Sequence, residues 1–469
     1  MTLKSKGRRK QTRKSSSKWW TSKRLSFASD IKWKTLRHNG PLFPPLYKRL
    51  PRKVKFYYKR KPMKLSKAAE EVASFYAKML KEDYTKKALF NKNFMMDWQE
   101  VMIPRERKII TDLKKCDFKS MHQHFQKLSE AKKKRSKKQI EADRKRQQKL
   151  VEKYGYCILN GCKQKIGNFR IEPPGLFRGR GNHPKMGRLK KRVRPEDVVI
   201  NIGKNVKTPK PSVPGKWKDV ISDNTVTWLA HWVDNISSKH KYVFLNPSSS
   251  IKGKSDFEKY ELARKLSRYI KTIRRKYMRG MNAKDPEVQQ MSVALFLIDQ
   301  LALRIGNEKK KDTADTVGCC SLRKQHIKLR KKGNKNIVDL KFRGKDSMLY
   351  KRSIPVKKSV FNALKRLTYG KSARIKIFDE ISPPMVNDYL NSIMHGLSAK
   401  VFRTYNSSKL FEKKLQHTKA KMSVDEKIKR YGEANRDVAI LCGHTRTPLK
   451  THGKRTKTLN SKEPTYPLL

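Results

Sequence analysis

The segment VALFLIDQLALRIGNEKKKDTADTVGCCSLR, residues 293–323, does most to limit the folds open to this chain. Val293, Ala294, Leu297, Ile298, Leu301 and Ala302 recur at three- and four-residue spacing, and most of the gaps between them are also apolar. A helix that is apolar on nearly every side must lie inside a sizeable core. Arg304 follows at the end of the apolar run, and Ile305-Gly306-Asn307 reads as the helix stop. A cation there complements the helix C-terminus, so Arg304 alone is an ordinary dipole-pairing or snorkelling arginine. That reading changes with a second arginine in similar surroundings, Arg403 in SAKVFRTYN, and with Lys345 in RGKDS and His444 in ILCGHTR. The set contains no carboxylate, a composition suited to a dianionic phosphoryl transition state without a metal.

The charge of the chain names a class of partner. Lys and Arg number 116 against 40 Asp and Glu, a formal +76 over 469 residues. Solubility needs far less, and a polyanion, nucleic acid above all, is the expected partner. Seven tryptophans and the long apolar segments set the chain apart from ribosomal proteins and histones. The length allows two or three domains. No apolar run has the length needed to span a bilayer, and the first residues lack a signal-peptide core, so no membrane partner is expected. Cysteines 116, 157, 162, 319, 320 and 442 form neither a disulfide framework nor a zinc pattern, which fits a reducing compartment. His122 and His124 have no companion ligand, so no metal is expected there.

In chain order, residues 1–24 are rich in Lys, Arg and Ser and read as disordered. GRRKQTRK suits nuclear targeting or DNA contact, and the same acid-poor composition suits a mitochondrial transit peptide. Structure is expected from about Ile31. Amphipathic helices follow over residues 64–130, with Val72, Phe75, Met79, Trp98 and Phe125 as core positions. AKKKRSKKQIEADRKRQQKL, residues 131–150, predicts one projecting, solvated helix. Residues 154–247 change to short strands and Gly/Pro turns. There IEPPGLFRGRGNHPKMGRLKKR sets Arg178 and Arg180 among glycines that let a backbone approach an anion. TVTWLAHW and KYVFLNP alternate as strands; Trp228 and Tyr242 are candidate DNA contacts, with core packing the ordinary fate of Trp228. From Asp256 the chain reads as mainly helical with one hairpin. Val338, Leu340 and Phe342 share a face, Arg343-Gly344 turns, and Lys345 and Asp346 stand at the exposed turn. Gly344-Lys345 is not a P-loop, since position 339 is Asp.

KIGNFRIEPPGLFRGRGNHPKMG, SDNTVTWLAHW, KYVFLNPSSSIKG, LALRIGNE, TADTVGCCSLR, GKDS, LSAKVFRTYN and VAILCGH occur in that order between residues 32 and 444. Their order and spacing resemble the eukaryotic type IB DNA topoisomerases. The resemblance implies an α+β multidomain chain in which a mixed α/β cap lobe and a mainly helical, tyrosine-recombinase-like catalytic lobe clamp duplex DNA. The implied division is a basic tail over residues 1–30 and a DNA-binding and cap lobe over 31–249, with a helical insertion at 49–135. A catalytic lobe would follow over 250–447 and a short tail over 448–469.

The family's catalytic positions fall on Arg304, Lys345, Arg403 and His444. By resemblance, the guanidinium groups hold the non-bridging oxygens, Lys345 protonates the leaving 5′-oxygen, and His444 hydrogen-bonds a non-bridging oxygen. DNA contacts are implied for Arg178, Arg180, Trp228, Lys241, Tyr242, Lys259, Gly306, Asn307, Glu308, Lys309, Asp346, Ser398, Ala399, Lys400 and Thr404. The family's nucleophile is a tyrosine that forms a 3′-phosphotyrosyl bond and conserves the energy of the broken strand, so neither ATP nor metal is expected as a cofactor. Here Gly443 stands where the family carries asparagine, and the tyrosine after His444 is Tyr466, in S-K-x-x-x-Y rather than S-K-x-x-Y. Three readings stay open. The chain is the large subunit of a split enzyme with a separate tyrosine-bearing subunit, or a self-sufficient chain using Tyr466, or a paralogue that only binds DNA. A nuclear location is expected, with the mitochondrion as the alternative.

Overall fold

The computed structural model describes residues 31–309 and 312–443. The tail expected over residues 1–30, His444, Tyr466 and residues 448–469 lie outside the described residues. The described residues form eleven α-helices and five small sheets, a mixed α/β architecture. They fall into two compact units. The first takes the chain up to Glu82, Met95–Leu176 and Leu189–Phe257; the second takes Asp83–Phe94, Phe177–Arg188 and everything from Glu258 on.

The chain enters through β1 (Leu36–His38), β2 (Phe56–Tyr58) and β3 (Lys61–Met63), followed by α1 (Lys67–Met79) and α2 (Ala88–Val101). Next come α3 (Pro104–Ile109), β4 (Cys116–Asp117), α4 (Lys119–Lys133) and α5 (Lys137–Tyr154). Ser66 caps α1 by accepting from the Ala69 N–H, and the buried face of that helix carries Val72, Ala73, Tyr76 and Met79. Trp98 is fully buried and donates from Nε1 to the Ala69 carbonyl at 2.9 Å. The projecting helix expected over residues 131–150 is instead two helices. Ser136 and Gln139 form a capping box that starts α5 afresh after Lys134, because a serine side chain satisfies a helix-start N–H better than it continues a helix. The solvated character holds, since Tyr154 alone in α5 is buried.

Short strands then accumulate: β5 (Tyr156–Leu159), β6 (Cys162–Lys165), β7 (Gly175–Leu176), β8 (Leu189–Lys190), β9 (Val199–Asn201), β10 (Asp219–Ile221), β11 (Trp228–Val233) and β12 (His240–Phe244). The largest sheet of the first unit has the order β10-β9-β11-β12. Its inner face, with Ile200, Ala230, Trp232 and Val243, joins Trp33, Leu36 and Phe43 in one core. Its other face carries His231, Val233, His240 and Tyr242, as the register His231↔Tyr242 and Val233↔His240 requires.

The second unit is built on α6 (Ser250–Gly280), from Glu258 onward, and on α7 (Pro286–Leu301). Asp285 caps α7 and Pro286 occupies its first turn. Val293, Ala294, Leu297 and Ile298 are completely buried, as the periodicity predicts. Each large side chain among them contributes about 1.5–3 kcal/mol by leaving water. The sheet β13 (Ile327–Lys332), β14 (Lys335–Arg343) and β15 (Leu349–Val356) follows in that order. The sequence reading has the hairpin β14–β15 but not β13. In that strand only Ile327 and Leu329 alternate toward the core while Lys328, Arg330, Lys331 and Lys332 stay exposed, a pattern typical of a charged edge. The helices α8 (Lys358–Thr368), α9 (Pro383–Ile393), α10 (Ala399–Leu415) and α11 (Val424–Leu441) complete the unit. Among the described residues, no helix is long and apolar enough to cross a membrane.

Candidate active site

The end of α7 sets the geometry. The helix stops at Leu301, before the expected Gly306, because Ala302 takes the left-handed conformation at φ 48°, ψ 35°. The chain then runs extended. The Arg304 carbonyl accepts from the Cys319 N–H at 2.8 Å, and the Ile305 carbonyl accepts from the Cys320 N–H at 2.7 Å. Gly306, at φ +83°, lies so close to Gly318 that a Cβ on it would sit 2.5 Å from the Gly318 Cα. Two glycines are therefore needed for the crossing that fixes Arg304. One residue earlier, the Val317 N–H donates to the Arg343 carbonyl at 2.9 Å and ties this crossing to the hairpin that carries Lys345.

The turn of that hairpin is tight. The Gly344 N–H donates to the Met348 carbonyl at 2.8 Å, and Arg343 donates from Nη1 to the Ser347 carbonyl at 3.0 Å. Asp346 and Ser347 both have positive φ, 65° and 58°. Loop Phe177–Arg188 supplies the contacts that hold this backbone. Arg180 pairs with Asp346, and Ser347 donates from its hydroxyl to the Arg180 carbonyl at 3.3 Å. Lys345 itself is exposed, with no salt-bridge partner among the described residues.

Arg403 approaches from α10. Its Nη1 donates to the Ala302 carbonyl at the end of α7, and its Nη2 donates to the Cys442 carbonyl, just past α11, at 3.1 Å. Burial pushes the Arg403 guanidinium below its ordinary pKa, and the charge of Arg304 pushes in the same direction. Two guanidinium groups have thus been brought close enough for the charge of one to act on the other. Arg180, Arg304, Lys345, Asp346 and Arg403 line one cleft of about 450 Å³. Such a cleft favours an anion.

Two features of the second unit are not legible in the sequence. Tyr350, opposite Phe342 in the register and stacked on it at 4.9 Å, lines the cleft with a buried hydroxyl that has no hydrogen-bond partner among the described residues. Burial raises its pKa, while Arg352 and Arg403 pull it down. The second is Asp299 in α7, completely buried. It accepts from Arg274 at 2.8 and 3.1 Å, from the Tyr277 hydroxyl at 2.9 Å and from Gln300 at 2.8 Å. Asn406, one turn beyond Arg403 on α10, donates to the Asp299 backbone carbonyl and to its carboxylate at 3.3 Å. A lone acid inside FLIDQL was the available signal, since a buried charge needs partners. Burial holds the Cys319 thiol well above its usual pKa and pushes that of Cys320 up to about 12.

The other expected contact residues are distributed as follows. Asn307, Glu308 and Lys309 are exposed beyond Gly306, with Glu308 paired to Lys376. Ser398 precedes α10, Lys400 is exposed, and Ala399 and Thr404 face the core. Lys259 lies on α6 with its Nζ 4.6 Å from the Tyr260 ring centre, and Arg178 is exposed in the loop that carries Arg180. Trp228, Lys241 and Tyr242 belong to β11 and β12 of the first unit, Trp228 and Tyr242 half-buried and Lys241 exposed.

Comparison with known proteins accounts for both units. Residues 31–245 match the family profile "Eukaryotic DNA topoisomerase I, DNA binding fragment". Residues 248–466 match "Eukaryotic DNA topoisomerase I, catalytic core". The chain belongs to the eukaryotic DNA topoisomerase I family. It is 48% identical over 447 residues to DNA topoisomerase 1 of Homo sapiens, covering 94% of this chain and 58% of that protein. Identity is also 48% over 448 residues to DNA topoisomerase 1 of Drosophila melanogaster, at 95% and 46% coverage. A third relative at 48%, DNA topoisomerase I, mitochondrial, of Rattus norvegicus, is covered over 74% of its length by 92% of this chain. The chain spans about half the length of the first two. Membership in this family accounts for the order of motifs from residue 32 to residue 444.

Proposed function

We propose that this chain serves a type IB topoisomerase reaction, relaxing supercoiled duplex DNA by cutting and resealing one strand through a 3′-phosphotyrosyl link. The observation that carries the proposal is the convergence of Arg304, Arg403 and Lys345 on one cleft, with the Arg403 guanidinium made less comfortable by its burial and by Arg304. A phosphodiester under attack gains charge on its non-bridging oxygens, and fixed guanidinium donors stabilise that charge more than they stabilise the ground state. Each is worth roughly 3–4 kcal/mol in comparable sites. A tyrosine hydroxyl gives up its proton to water as its oxygen attacks phosphorus, the bond to the 5′-oxygen breaks, and Lys345 gives that oxygen its proton. Reversal reseals the strand, and the phosphotyrosyl bond stores what resealing needs, so ATP has no role. Charge neutralisation comes from side chains, so the step requires no metal.

Tyr242 and Trp228 on the outer face of β11–β12, and the exposed Lys241 of β12, would contact the duplex in the same reading. The nucleophile is a tyrosine outside the described residues, with Tyr466 and a tyrosine of a separate subunit as candidates. The family and the basic residues 1–24 support action in the nucleus, with the mitochondrion as the alternative. The test is relaxation of supercoiled plasmid in EDTA without ATP, by the chain alone and with an added tyrosine-bearing fragment of a relative. Arg304→Ala is expected to lower the rate about 10²–10³-fold while leaving duplex binding nearly intact. A rate unchanged by Arg304→Ala, or no relaxation in either arm, overturns the proposal.

A further inference from the structure

The outer face of β11–β12 carries a histidine pair that the cleft chemistry does not use. His231 and His240 lie on adjacent strands, diagonal to one another across the register pairs His231↔Tyr242 and Val233↔His240. Their Nδ1 atoms face each other at 3.1 Å, with ring centres 4.9 Å apart. The aromatic neighbours limit ring rotation. Trp228 meets His231 edge-on at 4.7 Å, and Tyr242 stacks on His240 at 6.0 Å and lies 5.8 Å from His231. We propose that His231 and His240 form a two-ligand chelate for a divalent transition ion of the zinc class on the exposed face of this hairpin.

The distance carries the argument. Two imidazole nitrogens facing one another either share a proton or accept a common Lewis acid. Zinc bound to imidazole at about 2.0–2.1 Å in tetrahedral geometry separates two ligand nitrogens by about 3.3–3.4 Å. The pair is within a few tenths of an ångström of that bite, a change that small ring rotations supply. The sheet beneath is rigid, because Trp232 and Val243 of the same strands are buried in the core. His240 is exposed and His231 half-buried, so the remaining coordination positions open to water. No third His, Cys, Asp or Glu joins the pair among the described residues. The site is therefore exchangeable rather than a structural zinc. Burial, His240 and Lys218 all lower the pKa of His231, which keeps its nitrogen unprotonated and ready to ligate near neutral pH. Lys218 also repels a dication and weakens the site, Tyr242 flanks the pair, and Asp219 of β10 lies on the same face, in register with His231 through Val199. A bound dication would sit next to Tyr242 and add positive charge to the outer face of the hairpin.

The test is isothermal titration of the full chain with Zn²⁺ at neutral pH, compared with His231→Ala and His240→Ala. Both variants alter only the outer face of the hairpin, and circular dichroism checks that they remain folded. Exposed Cys162 and other imidazoles also take zinc, so the decisive quantity is the difference between the chain and each variant. One equivalent of zinc is expected to disappear, or to weaken by at least about tenfold, in each variant alone and no further in the double variant. Because the ion displaces protons, the same equivalent should be lost on acidifying to pH 5. Identical zinc uptake by the chain and both variants overturns the proposal, as does a loss in one variant with none in the other.

Discussion

Arg274→Ala and Asp299→Ala remove opposite ends of one ion pair, yet their costs should differ. The Asp299 side chain is 0% exposed and that of Arg274 is 42% exposed. Removing Arg274 leaves a carboxylate with no water and only the donors Tyr277, Gln300 and Asn406. Stranding a buried charge in this way costs about 3–5 kcal/mol. Removing Asp299 leaves a guanidinium that water already reaches, so its stranding costs little. The principal loss is then the carboxylate acceptor for the buried Tyr277 hydroxyl and for Gln300, about 2–3 kcal/mol together, while Asn406 keeps the backbone carbonyl of residue 299. Replacing both residues, as Arg274→Met with Asp299→Leu, should return stability to within about 1–2 kcal/mol of the parent, because neither charge remains. Urea unfolding of all four proteins, compared at a common slope, measures these differences. Asp299 precedes Arg304 by five residues and Asn406 follows Arg403 by three, so relaxation should fall in the single variants by more than the loss of folded protein. A cost for Asp299→Ala equal to or above that of Arg274→Ala would refute the reasoning, and so would values below 1 kcal/mol for both, the range of an exposed pair.

Arg403→Lys keeps the charge but not the fork, and relaxation should fall nearly as far as in Arg403→Ala, with duplex binding by gel shift unchanged. Gly306→Ala places a Cβ 2.5 Å from the Gly318 Cα at a left-handed position, so thermal unfolding should show a loss of at least about 2 kcal/mol. Lys345→Ala should be slow on ordinary DNA and rescued on a substrate with a 5′-bridging sulfur, which leaves without a proton; lack of rescue in cleavage assays would remove its general-acid role. If the chain makes about ten phosphate contacts, duplex affinity should drop by roughly 10⁵ between 50 and 200 mM salt in an equilibrium titration, and a flat response would contradict electrostatic binding.

What the sequence makes legible is what local pattern controls. The core position of α7 follows from Val293, Ala294, Leu297 and Ile298, and the hairpin follows from the alternation of Val338, Leu340 and Phe342. The convergence of Arg304, Lys345 and Arg403 is not a local property. It depends on the crossing at Gly306 and Gly318 and on the Val317–Arg343 hydrogen bond, which join segments tens of residues apart. The early stop of α7 is equally tertiary. Nothing in LALRIG marks Ala302 for the left-handed region, and alanine there is less comfortable than glycine. Its carbonyl is held by Arg403, an interaction invisible until α10 is placed. β13 was missed for the opposite reason. Its pattern is real but carried by two half-buried residues, Ile327 and Leu329, among cations.

The same contact that hides from the sequence explains why position 403 suits an arginine. A guanidinium has five N–H donors in a fixed plane, and two are taken by the carbonyls of Ala302 and Cys442. Those carbonyls end α7 and follow α11, where the helix dipoles are negative, so they stabilise a cation that burial and Arg304 destabilise. The balance leaves a charge that is held in place at the cleft by backbone carbonyls. Two carbonyl acceptors fix the plane of the guanidinium, so its orientation toward charge developing on phosphorus is set before the reaction begins. Arg180 is arranged differently: it meets Asp346 at the turn beside Lys345, where an ion pair organises the loop. The cleft therefore separates two uses of arginine, one pairing with a carboxylate to shape the backbone around the lysine and one anchored by the carbonyls at two helix ends.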